Sequence, residues 1–332
     1  LQDWCDKKGH PRFRAQQLFE WMYFHGESNP KRMTNLSKSI INDLQSDCII
    51  QTLEVEKVSS SENEATNKFL FRTADNRFIE TVSMVEDNRH TVCISSQIGC
   101  SVDCDFCATA TMGIIRNLNT GEIVDQLNYI REKIEAPITN IVFMGMGEPF
   151  LNYERVLKAA DIFHDPKGFG LGAHRITIST VGILPKIKKF YEEDRKYKLA
   201  ISLNASNDET RSKIMPINNK WSISELIAIG RSHAHRNRKV MFEYVLLAGV
   251  NDSTDNAYEL SSLLRGVDCK LNIIPYNETD GKYRRPDNDA MESFLEVLSA
   301  QQKGYRVMVR WSKGQDIDAG CGQLAVKQES HE

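Results

Sequence analysis

Three cysteines, Cys100, Cys104 and Cys107, fall within eight residues. Helical periodicity does not explain them, because Gly99 and the polar residues around them make a poor core face. Three thiolates on one loop ligate three irons of a [4Fe–4S] cube and leave the fourth iron open for chemistry, whereas a structural zinc or an electron-transfer cluster takes four ligands. A zinc site with Cys93 or Cys321 as its fourth ligand is the competing reading. Phe106, beside the last thiol, is expected to shield the bound group from water. Cys321 lies between Gly320 and Gly322 and has little reason to be core, while an apolar strand makes core the default for Cys93. Cys5, Cys48 and Cys269 have no motif around them and read as ordinary thiols.

Apolar alternation and helical periodicity supply the elements that must position this loop. Residues 1–50 carry helix-period positions (Phe13, Leu18, Trp21, Met22, Leu36, Ile40, Leu44) and predict a small helical domain. Residues 51–89 alternate, as in Thr52–Val58, Lys68–Arg72 and Phe78–Val82, and predict short antiparallel strands. From residue 90 the chain alternates strands (90–97, 140–146, 175–180, 198–204, 239–247, 270–276) with helices (120–134, 153–163, 184–191, 222–233, 257–264). A helix over 289–302 and a strand over 306–311 close this 90–311 core, and 312–332 reads as a tail. Such β/α units predict an α/β fold with a parallel sheet, curved or barrel-like, whose chemistry sits at the carboxyl ends of the strands. The suggestive sequences fall there: the cysteine triplet after the first strand, Gly145-Met-Gly-Glu-Pro149, Ser179-Thr-Val-Gly182, Ser202-Leu-Asn-Ala205 and Pro275-Tyr-Asn277 after later ones.

Composition sets the class. The 332 residues are 41% hydrophobic and 26% charged, a globular composition without low complexity. No apolar run approaches a membrane span and the first residues lack a signal-peptide core, so a cytoplasmic protein without a membrane partner is expected. Lys and Arg total 42 against 45 Asp and Glu, so net charge announces no nucleic acid. Basic stretches at Arg231–Lys239 and Lys303–Lys313 are local exceptions.

Cys-x3-Cys-x-aromatic-Cys after the first strand of a β/α barrel resembles the radical S-adenosylmethionine (SAM) superfamily and its partial (β/α)6 barrel. Ser95-Ser-Gln-Ile-Gly-Cys100, Arg116-Asn-Leu118, Phe143-Met-Gly-Met-Gly-Glu-Pro149, Ile178-Ser-Thr-Val-Gly182, Met215-Pro-Ile-Asn218 and Asp316-Ile-Asp-Ala-Gly-Cys-Gly-Gln-Leu324 together resemble the RlmN/Cfr family of radical-SAM RNA methyltransferases, over nearly the whole chain. The resemblance implies one [4Fe–4S] cluster on Cys100, Cys104 and Cys107, and reductive cleavage of SAM to a 5′-deoxyadenosyl radical. It implies that Cys321 first accepts a methyl group from one SAM. The radical from a second SAM then takes a hydrogen from that methyl group, and the carbon adds to adenine. Adenine carbons are electron-poor and cannot attack the methyl group of SAM directly, which is why a radical route is needed.

The resemblance also assigns supporting roles. Cys93 assists removal of the ring proton and releases the product through a transient disulfide with Cys321, and Glu80 is a proton acceptor. Gly147, Glu148, Ser179, Ser202, Leu203, Asn204 and Asn277 contact SAM; many members carry His where this chain has Asn204. The expected substrates are 23S rRNA and tRNA, methylated at carbon 2 of an adenosine as in the RlmN branch, with carbon 8, as in the Cfr branch, the alternative. A non-catalytic Fe–S or zinc RNA-binding protein is the alternative from another class. A reductant such as flavodoxin is implied. Lys7, Lys8, Arg12, Arg14, Lys31, Arg32 and Lys38 suit an N-terminal RNA-binding role, and Lys282-Tyr-Arg-Arg285 suits holding an extruded nucleotide.

Overall fold

The computed structural model describes the chain apart from residues 63–64, 234–238, 280, 303 and 327–332. Most of the Arg231–Lys239 cluster, Lys303, and the end of the tail therefore lie outside the described residues. The N-terminal periodicity becomes α1 (Gln2–Lys7), α2 (Phe13–Phe19) running into a π turn, and α3 (Lys38–Asp47), packed on a small core of Leu18, Met33, Ile40 and Leu44. Arg131 is one of the groups that join this unit to the rest: its guanidinium donates to the Tyr23 carbonyl at 2.7 Å and lies 4.5 Å over the Phe169 ring, and Lys167 pairs with Glu20 at 3.3 Å.

Then come β1 (Leu53–Ser60), β2 (Thr66–Thr73), β3 (Phe78–Glu86), β4 (Arg89–Cys93), a hairpin of β5 (Gln97–Gly99) and β6 (Ile114–Asn117), and α4 (Thr120–Lys133). The β/α succession follows as β7 (Asn140–Phe143), α5 (Tyr153–His164), β8 (Ile176–Thr180), α6 (Leu184–Glu192), β9 (Lys198–Ser202), α7 (Asp208–Ile214), α8 (Ile223–His233), β10 (Met241–Leu246), α9 (Thr254–Leu264), β11 (Cys269–Pro275), α10 (Asn288–Ala300) and β12 (Tyr305–Val309). One ten-stranded sheet has the order β1-β2-β3-β4-β7-β8-β9-β10-β11-β12, antiparallel up to β4 and parallel from β4 to β12. The antiparallel segment thus continues into the parallel sheet through β4. Ile141, Phe143, Ile176, Ile178, Phe242 and Ile273 bury the outer face of the sheet under the helices, and the alternate residues face inward.

The strand expected over 90–97 stops at Cys93. Side chains take over from the ladder there: Ser95 Oγ donates to the Glu80 carbonyl, and Ser95 N donates to Gln126 Oε1 at 2.8 Å. That break frees Gln97 to begin the β5–β6 hairpin that frames the cysteine loop. Among the described residues, no helix is long and apolar enough to cross a membrane.

Candidate active site at the carboxyl ends of the strands

Cys100, Cys104 and Cys107 follow β5 on a single loop. Cys107 N donates to the Cys104 carbonyl at 3.0 Å, and Asp105 N to the Ile214 carbonyl, so α7 braces the loop. Phe106 is buried among Ile214, Met215, Val245 and Tyr276, as expected of a residue that excludes water. Tyr283 donates to Asp105 at 2.7 Å and Lys282 pairs with the same carboxylate. The segment read as a nucleotide clamp therefore also ties down the cysteine loop.

Burial pushes all three thiols up, Cys100 to about 12, and their mutual charge repulsion adds to it for Cys100 and Cys104. A buried trio of this kind carries thiolate charge only when a metal cation neutralises it. The donor set fits a cube, one sulfur for each of three irons.

The second cysteine pair stands beside this loop. Cys93 ends β4, opposite Val82 of β3, and shares a cavity of about 40 Å³ with Cys321, lined also by Met84, Met144, Arg310 and Leu324. Cys321 rides on a strap fastened to the cysteine loop: Ala108 N donates to the Gly322 carbonyl at 2.8 Å and Thr109 Oγ to the Leu324 carbonyl at 2.5 Å. Asn277 Nδ2 holds the strap from below, donating to the Cys321 carbonyl at 2.9 Å and to Ser312 Oγ. A Cβ on Gly320 would stand 2.8 Å from Asn277 Cγ, so the strap can lie this close only with glycine there. Both sulfurs are free thiols, raised by burial to about 12 at Cys93 and about 11 at Cys321.

Glu80 shares a face of β3 with Val82 and so with Cys93. It pairs with Lys68 at 3.1 Å and feels the Ala325 backbone N–H, yet burial pushes its carboxyl up on balance. Glu148 is buried and pushed up to about 7 by desolvation, although its oxygens accept from Phe150 N and Val181 N, both at 2.8 Å. At Gly147, with φ +95°, a Cβ would collide with Gln97. Ser179 Oγ donates to Glu243 at 2.9 Å. Leu203 N and Asn204 N both donate to the Glu243 carbonyl. Asn204 adopts φ +57°, a conformation that Asn tolerates well, and turns its side chain to Val245 N and Met215 Sδ.

Sequence reasoning missed three residues here. Arg211 of α7 is almost fully buried and donates to the carbonyls of Val181, Ser202 and Leu203 and to Asn218 Oδ1, binding the loops after β8 and β9 together. Glu243 of β10 keeps one buried oxygen without a hydrogen bond, and Arg310 stands 3.9 Å from it. Their charges act on Cys93 and Cys321 in opposite directions, Arg310 lowering both thiols and Glu243 raising them. The expected basic face of the N-terminal unit is partly spent on internal pairs: Lys8 with Asp47 at 2.6 Å and Arg12 with Asp6 at 3.1 Å.

Comparison with known proteins follows the same lines. The model of the radical SAM superfamily matches residues 94–260, and that of the ribosomal RNA large subunit methyltransferase N-terminal domain matches residues 1–50. The chain is 43% identical to a probable dual-specificity RNA methyltransferase RlmN of Dictyoglomus turgidum, over 98% of this chain and 92% of the relative. It is 42% identical to the dual-specificity RNA methyltransferase RlmN of Geobacter sulfurreducens, over 96% and 88%. The crystal structure of a radical SAM methyltransferase from Sphaerobacter thermophilus superposes with a TM-score of 0.93 at 43% identity, covering 98% of this chain and 96% of that one.

Proposed function

The chain belongs to the RlmN family of radical SAM RNA methyltransferases, and from that premise we propose that it methylates carbon 2 of an adenosine in 23S rRNA and in tRNA, with Cys321 as carrier of the transferred carbon. It is a methyltransferase that uses a [4Fe–4S] cluster and SAM. Cys100, Cys104 and Cys107 hold the cluster, which when bound supplies the electron that cleaves SAM.

The observation that carries the residue assignments is the single small cavity shared by Cys93 and Cys321, on a strap tied to the cysteine loop. Cys321 sulfur takes the methyl group of one SAM by displacement and becomes a thioether. The 5′-deoxyadenosyl radical from a second SAM would take one hydrogen atom from that methyl group, the carbon radical would add to adenine carbon 2, and loss of the ring proton and of one electron, which the cluster would accept, would leave the base joined to Cys321 through a CH2–S bond. Cys93, as thiolate, then attacks Cys321 sulfur: the S–S bond forms, the S–CH2 bond breaks, and its electron pair takes up a proton to complete the methyl group of the departing base. Glu80, desolvated and on the same face of β3 as Val82 opposite Cys93, is the proton acceptor. Gly147, Glu148, Ser179, Ser202, Leu203, Asn204 and Asn277 form the SAM cradle. Residues 1–50 serve as the RNA-facing accessory unit, 51–89 and 90–311 as the sheet and catalytic core, and 312–332 as the carrier tail. A flavodoxin-like donor in the cytoplasm supplies electrons.

The test is Cys93→Ala. The variant should form 5′-deoxyadenosine and S-methylated Cys321 yet accumulate a covalent protein–RNA adduct that nuclease removes, and Cys93→Ala with Cys321→Ala should accumulate none. Mass spectrometry of RNA treated with the wild-type protein should show 2-methyladenosine. Normal turnover by Cys93→Ala would overturn the assignment, and 8-methyladenosine would overturn the carbon-2 reading.

A further inference from the structure

The barrel has a second opening, away from the cysteine loop. A cavity of about 1340 Å³ lies where β8, β9, β10 and β11 begin and extends up the barrel interior. Lys198 and Lys270 occupy inward-facing positions on its wall, with Arg89 at its rim. Two other rim cations are neutralised, Lys239 by Asp268 at 2.6 Å and Lys313 by Glu86 at 3.0 Å. Among the described residues no carboxylate lies within ion-pair distance of Lys198 or Lys270. Burial, with repulsion from Lys270, Arg89 and Arg175, pushes the Lys198 ammonium down. Glu62, Asp87 and Asp316 line the cavity as well, so the uncompensated positive charge is local to the wall of Lys198 and Lys270, where like charges are offset by an anionic occupant.

The upper end of this cavity is walled by Met84, Met144, Arg310 and Trp311, and those same residues line the small cavity of Cys93 and Cys321. The two spaces meet there. Register gives the scale: Cys93 pairs with Val142, Val142 with Thr177 and Thr177 with Lys198. Three strand spacings, about 14 Å, separate the thiol strand from the lysine strand, a span that an extruded nucleotide and a lysine side chain cover together. Trp311 is 52% exposed, with Arg285 stacked 5.0 Å from its ring, and offers a flat surface to an unstacked base.

We propose that the RNA substrate enters the barrel through this cavity, with phosphates flanking the target held by Lys198, Lys270 and Arg89, so that the extruded adenine meets Cys321 and Cys93 from the side opposite the cluster. The proposal rests on the reading of the chain as an RNA methyltransferase and adds the route by which the base arrives. Bound SAM and the cysteine loop occupy the carboxyl ends of the strands, and the polyanion occupies the other end.

The experiment compares wild type, Lys198→Ala/Lys270→Ala, and a control pair on the outer helices, Lys158→Ala/Lys188→Ala, all as reconstituted holoenzyme. Binding of a tRNA anticodon stem-loop is measured against salt concentration, alongside methylation. The cavity variant should bind roughly tenfold more weakly, and its slope of log affinity against log salt should flatten by about one for each lysine. Methylation of Cys321 and release of 5′-deoxyadenosine without RNA should stay at wild-type levels, which shows that the variant is folded and loaded. The control should match wild type. Unchanged affinity and slope in the cavity variant, or equal losses in the control, would overturn the proposal. A wild-type protein that binds RNA through these lysines but makes no methyladenosine would leave the entrance standing and remove the reaction reading instead.

Discussion

His90 shows burial choosing a protonation state. Its ring is almost fully buried, with Nδ1 2.7 Å from the Ala136 carbonyl and Nε2 2.7 Å from Ser83 Oγ. A carbonyl only accepts, so Nδ1 carries the proton and Nε2 accepts from the Ser83 hydroxyl. Burial pushes the imidazole below its ordinary value of 6.5. The unfolded chain therefore binds the additional proton first as pH falls, so this contribution is complete above about pH 6.5 and is lost as acidity increases below it. Anaerobic thermal unfolding of the holoenzyme should show a midpoint that falls from pH 6.5 toward 5, and His90→Gln should remove part of that fall. An unchanged slope in His90→Gln would remove this account. Residues of this kind are poorly legible in sequence, since nothing local marks His90 as buried. The cysteine triplet is legible because its spacing is itself local. Arg211, Glu243 and Arg310 come from separate elements and converge only once the sheet has curled, so no spacing announces them.

The strap that carries Cys321 is irregular, and its position is set by a handful of side-chain and backbone bonds to Asn277, Ala108 and Thr109. Gly320→Ala tests how closely it must lie. The added methyl group would meet Asn277 at 2.8 Å, and the strap must shift to relieve the contact. A displacement of about 1 Å at a reacting group costs roughly 100-fold in rate. The variant should keep its brown cluster chromophore and RNA binding while Cys321 methylation and RNA methylation both fall by that order, read by peptide and nucleoside mass spectrometry. Full activity would show that strap position is not rate-determining. Elements with strong periodicity, such as α5 and β11, were expected within a residue or two of where they stand. The β5–β6 hairpin and α7 were not, because strands of three and four residues and a seven-residue helix are too short for either period to show.

At the scale of the molecule, alternation identified the strands of residues 51–89 but said nothing about their neighbours, and their union with the parallel sheet through β4 emerges only in the folded structure. The N-terminal unit is joined through several contacts: Arg131, the Lys167–Glu20 pair at 3.3 Å, and the packing of Phe19 and Tyr23 on the main core. Arg131→Ala would leave the Tyr23 and Phe24 carbonyls without their donor, a loss of about 1–3 kcal/mol. Limited proteolysis should then cut near residue 50 faster than in wild type, and affinity for RNA should drop, while Cys321 methylation without RNA persists. Equal cleavage rates would show that the remaining contacts hold the unit in place without Arg131. Cys93 and Cys321 also belong to regions of unequal permanence. Cys93 lies in the ladder between β3 and β7, whereas Cys321 lies on the strap. Amide hydrogen exchange should accordingly release the label at Cys93 only through global opening, and at residues 319–323 through local opening that is faster by orders of magnitude. One sulfur is then a fixed reference and the other a visitor, and the frequency of their meetings is governed by how often the strap lets go.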